Sequence, residues 1–189
     1  MEVSVQAANR EHLKEIHELV LEWGYQVTEP ETLEWLEVLV SSSNHQVFVA
    51  VYDDSVLGWA AVEKRISLDQ GFISEITGLV VRSSCRRSGI GQLLVNAVEE
   101  WSQNLGLLRV LVRSNVRRLE AHEFYPSIGF ELMKTTKVYA KELGGPNKSR
   151  NGDARDEPLR FRVSINQGVK IETGDLHRFY CAAGGMCNL

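Results

Sequence analysis

Residues 81–92 read Val-Arg-Ser-Ser-Cys-Arg-Arg-Ser-Gly-Ile-Gly-Gln, an apolar stretch running into a glycine-containing loop and then into a helical pattern. Gly89 and Gly91 carry no Cβ, so successive backbone N–H groups there can converge on one point. A helix N-terminus adds partial positive charge, and Arg86 and Arg87 add full charges. The chemistry is that of a site for a diphosphate. It is not the phosphate loop of nucleotide hydrolases, because no Gly-Lys-Ser/Thr follows, and it lacks the third glycine and later acidic residue of the dinucleotide fingerprint. Taken alone, the pattern also fits a tight turn beside a surface arginine pair. Cys85 sits in this loop with no His–acid pair near it in sequence, so it reads as a packing residue rather than a nucleophile.

Such a loop needs a strand before it and a helix after it, and the chain supplies both. Phe72–Val81 reads as a mostly buried strand interrupted by Gly78, and a glycine there marks a bulge or a close backbone approach. Leu94, Val98, Trp101 and Leu105 form one helical face that Gly106 stops. Upstream, Val3 and Val5 alternate as a short strand, and Leu13, Ile16, Val20 and Trp23 follow at helical spacing after an Asn9 cap. Thr28 to Glu31 has capping-box form with Pro30 in the first turn. Val47–Val51 and Val56–Val62 read as a hairpin about Asp53-Asp54-Ser55. Downstream, Leu108–Val112 is predicted as a strand and 116–128 as a helix with Ala121, Phe124, Tyr125 and Ile128 inward. Phe130–Leu132 and Thr135–Leu143 are predicted as two final strands. The expected fold is α/β, a mixed and largely antiparallel sheet flanked by helices. Residues 1–143 are expected to form the domain. Residues 144–189 form a C-terminal extension of unknown role, a polar linker to 158 and then a hairpin over 161–171.

Bulk properties narrow the setting. With 189 residues, 43% hydrophobic and 24% charged, the chain is long enough for a core without disulfide staples. A net charge of −4 argues against a nucleic-acid partner. No apolar run approaches the ~20 residues of a membrane span, and the first residues show no secretory pattern. Cys85, Cys181 and Cys187 form no disulfide framework or zinc spacing, so no metal is expected and a cytoplasmic setting fits. Residues 1–70 hold 4 basic and 13 acidic residues, whereas 71–143 hold 10 and 7. The acidic half is either a lip that attracts a cation or a set of solvated helix faces, and Glu11, Glu15, Glu18 and Glu22 fit both.

Two motifs resemble those of one family. Arg86-Arg87-Ser88-Gly89-Ile90-Gly91 resembles the coenzyme-A signature of the GNAT N-acetyltransferases, and Ala121-x-x-Phe124-Tyr125-x-x-x-Gly129-Phe130 resembles their second signature. The order of elements from Val3 to Leu143, about three quarters of the chain, also looks like that fold. The resemblance implies a sheet splayed at its central strands, with acetyl-CoA in the cleft as cosubstrate. It implies backbone pairing of Leu79, Val80 and Val81 with the pantetheine arm and a diphosphate held by Arg86 and by amides from Arg87 to Gln92 (Ser88, Gly89, Ile90 and Gly91 between them), with Asn115 as a further coenzyme contact. Tyr125 occupies the position of the acid that protonates the departing thiolate. Glu75 lies 11 residues before Arg86, at the offset of a glutamate base, with a water chain as the alternative. The implied reaction is direct attack of an amine on the thioester. The acceptor is a small-molecule amine or a protein amino group, approached past Trp23, Tyr25 and Trp35, and a homodimer is the candidate assembly. A non-catalytic acyl-CoA-binding regulatory module is the alternative. The sequence departs from the pattern at Arg118, where the family usually has Asn, and at Pro126, which removes one helix hydrogen bond.

Overall fold

The computed structural model describes residues 2–141 and 143. The first compact unit ends at Thr136. Its elements run β1 (Ser4–Ala7), α1 (Leu13–Glu22), α2 (Glu29–Ser41), β2 (His45–Tyr52), β3 (Ser55–Ser67), β4 (Gly71–Val81), α3 (Ile90–Asn104), β5 (Val110–Val112) and α4 (Leu119–Ser127). The strands lie in sequence order, antiparallel except for the parallel pair β4–β5. This is the mixed, largely antiparallel sheet that the sequence predicts.

Local chemistry sets the helix starts. Asn9 Oδ1 accepts the Glu11 N–H at 2.9 Å, and His12 Nδ1 accepts the Asn9 N–H at 3.1 Å, nucleating a single 3-10 turn that feeds α1. At α2 the box is reciprocal: the Glu31 carboxylate accepts the Thr28 N–H at 2.8 Å and the Thr28 hydroxyl accepts the Glu31 N–H at 3.4 Å. Asp53 and Asp54 both adopt positive φ in the β2–β3 turn, the left-handed conformation that tight hairpins require.

The sheet is covered on both faces. Ile16, Leu19 and Leu36 from α1 and α2 pack with Val47, Val49 and Trp59. Ile90, Leu94, Val95 and Val98 of α3 pack with Ala60, Val62 and Ile76 on the other face. The central strands β3 and β4 therefore bury both sides, which is why their sequences show so little polar alternation.

Two irregularities shape the middle of the sheet. Ala61 pairs with Gly78 and Val62 with Ile76, so Thr77 is an extra residue in β4. A Cβ on Gly78 would stand 2.6 Å from the Trp59 ring. The glycine thus marks both a bulge and a close approach. On the other side, β5 pairs only with Ser74, Glu75 and Ile76. β5 ends at Val112, opposite Ile76, and among the described residues no strand pairs with the β5-facing edge of residues 77–81.

Three expected boundaries differ. The helix predicted over 116–128 begins at Leu119, because Asn115 first forms a turn: its side chain accepts the Arg117 N–H at 2.9 Å and its carbonyl the Arg118 N–H at 2.9 Å. The strand predicted from Leu108 is reduced to Val110–Val112, and Leu108 is fully exposed. Residues 130–132 and 135–141 form no strand. An alternating segment becomes a strand only by pairing; Leu132, Met133, Val138 and Tyr139 remain exposed. The second unit begins at Lys137, and its described residues, 137–141 and 143, have no regular structure. The linker over 144–158 and the hairpin over 161–171 lie outside the described residues.

Candidate active site

The loop between β4 and α3 is built around two left-handed residues, Arg87 with φ 61° and Gly89 with φ 85°. Among the described residues, the backbone N–H groups of Arg87, Ser88, Gly89, Ile90, Gly91 and Gln92 meet no acceptor. Gly89 is the N-cap of α3 and, having no side chain, caps nothing. Six donors and a helix dipole are left without a partner at the head of α3, a combination chemically suited to an anion. The two glycines do different jobs. Gly89 supplies the left-handed turn, whereas a Cβ on Gly91 would lie 3.0 Å from the Phe124 ring of α4. Gly91 therefore lets α4 approach α3, which seats the neighbouring Tyr125.

Charged side chains brace this loop. The Glu22 carboxylate accepts the Ser83 N–H at 2.6 Å. The Ser83 hydroxyl, helped by Arg82 and Arg86, holds that carboxyl below its ordinary range. Glu18 stands 3.7 Å from Arg82, and Glu15 accepts the Val56 N–H at 2.9 Å. All three α1 carboxylates are thus engaged with the sheet and the loop rather than forming a bare acidic lip. Arg86 pairs with Glu120 of α4 at 3.6 Å, and the Ser88 hydroxyl donates to the Cys85 carbonyl. Cys85 is half-buried against the α3 face.

Tyr125 lies half-buried between Phe124 and Phe130, with ring centroids 5.2 and 5.4 Å away. Burial pushes its phenol up to about 12, against a smaller opposing pull from Arg118. It remains protonated throughout the neutral range. Pro126 does not end α4. The helix closes through tight bonds to the Tyr125 carbonyl, from Ile128 at 3.2 Å and Phe130 at 3.0 Å. His122 donates locally to the Asn115 carbonyl at 3.1 Å.

Glu75 is buried on β4 with one oxygen on Arg65 of β3 and the other on Arg113, the residue after β5. The sequence suggested a carboxylate available to take a proton. The structure places it in an ion triad that links β3 and β4 to the residue following β5.

On the other side of the β4 bulge, Trp23 packs edge-on against Trp59 at 5.7 Å and Tyr25 at 5.0 Å. Arg118 lies over the Trp23 ring at 4.8 Å. Trp35 is exposed. Sequence reasoning missed the Arg65–Glu75–Arg113 triad, the Gly91–Phe124 contact and the seat of Arg118. Arg113 and Arg65 stand out only once the strand register is known. Arg118 had a visible signal, as a departure from the family's asparagine.

Comparison with known proteins agrees with this geometry. The sequence model of the Acetyltransferase (GNAT) family matches residues 10–130. The chain belongs to that family, and as a member it is an N-acetyltransferase. It is 25% identical over 128 residues to an uncharacterised N-acetyltransferase, YhdJ, of Bacillus subtilis (strain 168), covering 67% of this chain and 90% of the relative. Its fold is similar to that of AAC(6')-Iy, solved with the bisubstrate analogue CoA-S-monomethyl-acetylneamine, with TM-score 0.70 and 20% identity over 76% of this chain and all of that one. It is also similar to the aminoglycoside 6'-N-acetyltransferase AAC(6')-IG of Acinetobacter haemolyticus, with TM-score 0.66 and 18% identity over 75% of this chain and 99% of that one.

Proposed function

We propose that the chain transfers an acetyl group from acetyl-CoA to a small-molecule amine by direct attack on the thioester. The observation that carries this reading is the run of unpaired N–H groups from Arg87 to Gln92 at the head of α3. With Arg86 and Arg87 beside them, those amides fit a diphosphate. The strand-free edge of Leu79, Val80 and Val81 fits an extended pantetheine arm by backbone pairing. The Asn115 side chain keeps its NH2 group for the same arm, since only its oxygen is used in the local turn.

The coenzyme supplies an activated acetyl thioester; the chain positions it and manages charge. A backbone donor at the bulged part of β4, near Leu79 or Val80, faces the oxygen that gains charge. Tyr125 Oη–H gives its proton to the departing sulfur. Its high proton affinity does not prevent this, because the site that desolvates the phenol equally desolvates the developing thiolate. Glu75 is assigned to holding β3, β4 and β5 in register, and the amine loses its proton to water rather than to a carboxylate already held by two guanidinium groups.

The test against a non-catalytic acyl-CoA-binding module combines calorimetric titration with acetyl-CoA and a thiol-release assay over a panel of amines. Binding with amine-dependent thiol release supports the enzyme. Binding alone supports the module.

A further inference from the structure

We propose that the acceptor is a small amine that also carries a carboxylate, and that Arg118 is the residue that recognises it. This rests on the acetyltransferase reading above and narrows it. Arg118 forms no salt bridge and no side-chain hydrogen bond among the described residues. Its guanidinium is laid over Trp23, 4.8 Å from the ring centroid. A guanidinium held over an aromatic ring, with none of its N–H donors taken among the described residues, keeps the fork that fits a carboxylate in two-point fashion. Stacking also fixes the side chain before a ligand arrives, so less freedom is lost on binding.

The position of this fork relates it to the reaction. Trp23 closes α1 and reaches the β4 bulge: its ring lies 3.6 Å from where a Cβ on Gly78 would be. Arg118 is the N-cap of α4, the helix that carries Tyr125 seven residues further on. The Arg118 charge is felt at the Tyr125 phenol. The cation therefore stands between the bulge and the acid, where the acceptor must come in. In the same aromatic cluster the Trp59 Nε1–H, on a side chain with 8% exposure, has no acceptor among the described residues. The surroundings are rich in donors and short of acceptors.

Charge complementarity favours the same occupant. A polycationic amine would meet an unpaired guanidinium, and the α1 carboxylates that would offset it, Glu15, Glu18 and Glu22, are committed to Val56, Arg82 and Ser83. The Trp23 face that would bind an ammonium group is already covered by Arg118. In the reaction, the acceptor nitrogen forms a bond to the acetyl carbon, the carbon–sulfur bond breaks, the sulfur takes the Tyr125 proton, the nitrogen gives up its proton to water, and water returns a proton to the Tyr125 oxygen. The carboxylate takes no part beyond orienting the molecule.

The experiment uses the full chain with saturating CoA for calorimetry and acetyl-CoA for thiol release. The probes are glycine, β-alanine, 4-aminobutyrate, the L-amino acids and simple dipeptides, each beside its amide and its decarboxylated amine, with spermidine and neamine as polycations. For the best acid, binding and kcat/KM should exceed those of its amide and decarboxylated amine by at least about tenfold. Arg118→Gln should remove that advantage while leaving the acetyl-CoA KM and a native circular dichroism spectrum unchanged. Arg118→Lys, which keeps the charge without the fork, should restore only part of it. Whether free amino acids or dipeptides bind better tells a free amino acid from a peptide terminus. Preference for polycations or uncharged amines overturns the proposal but leaves the acetyltransferase reading standing. So does an Arg118→Gln effect confined to acetyl-CoA. Arg118-dependent binding of amino carboxylates without thiol release upholds this site and overturns the enzymatic reading. Absence of any acceptor binding or turnover overturns both.

Discussion

Tyr125 is the residue on which chemistry and burial meet. Tyr125→Phe keeps the ring between Phe124 and Phe130 and removes only the hydroxyl. Steady-state kinetics should show kcat lowered by at least about tenfold with acetyl-CoA KM nearly unchanged, the signature of a lost transition-state interaction. A kcat within about twofold would reduce Tyr125 to a packing residue. Its raised phenol also makes a pH prediction. The folded protein holds this proton more tightly than the unfolded chain, so its contribution is complete below the ordinary value near 10 and is lost as pH climbs through about 12. Denaturation between pH 9 and 12 should be steeper for the wild type than for Tyr125→Phe, by an order of 2–3 kcal/mol at the alkaline end. At this scale the sequence pointed to Tyr125 and to the loop of residues 86–92 as candidates, and both remain proposals for the kinetics and titrations to decide. It did not reveal that Gly91 serves the packing of Phe124, because a missing Cβ shows its purpose only when the facing helix is in place.

At the scale of elements, α3 is joined to α4, and β3 to β4 and β5, by two contacts that substitution can separate. Gly91→Val drives a branched side chain into the Phe124 ring, which a Cβ alone already approaches at 3.0 Å. Acetyl-CoA affinity should fall more than about tenfold, and Phe124→Ala in the same chain should recover part of it, by calorimetry. No recovery would return Gly91 to a role in backbone approach to the diphosphate. Glu75→Gln leaves Arg65, only 16% exposed, without its anion. Thermal denaturation should show a loss of about 3–5 kcal/mol, the cost of an uncompensated buried charge. A stable Glu75→Gln protein with turnover abolished would instead make Glu75 the base. Most elements were legible because their signals are local: the caps at Asn9 and Thr28, the period of α3, the glycine in β4. The final strands were not. Residues 130–141 alternate in type, but alternation creates a strand only where an edge is there to pair with, and that is a non-local fact.

The whole molecule divides its charge in a way that the sequence showed only as a sum. An acidic first 70 residues beside a basic following segment suggested a cation-attracting lip. In the fold, Glu15, Glu18 and Glu22 turn toward Val56, Arg82 and Ser83, at β3 and the start of the β4–α3 loop, while the opposite sign, Arg118, lies over the Trp23 ring. Helical spacing of four glutamates cannot distinguish an outer face from one that clasps a neighbouring loop, so this was not readable from one chain. With steering by an acidic lip removed, turnover should not show the strong loss with salt that a steered polycation would give. The account rests on one claim above all, that this chain carries acetyl groups from coenzyme A to an amine. Thiol release from acetyl-CoA, followed with the wild-type chain over amines of differing charge and with the acetylated product identified by mass, tests it directly. The account predicts release that depends on the amine, matches product one for one, and collapses in Tyr125→Phe. Tight acetyl-CoA binding with no release above spontaneous hydrolysis for any amine would contradict it.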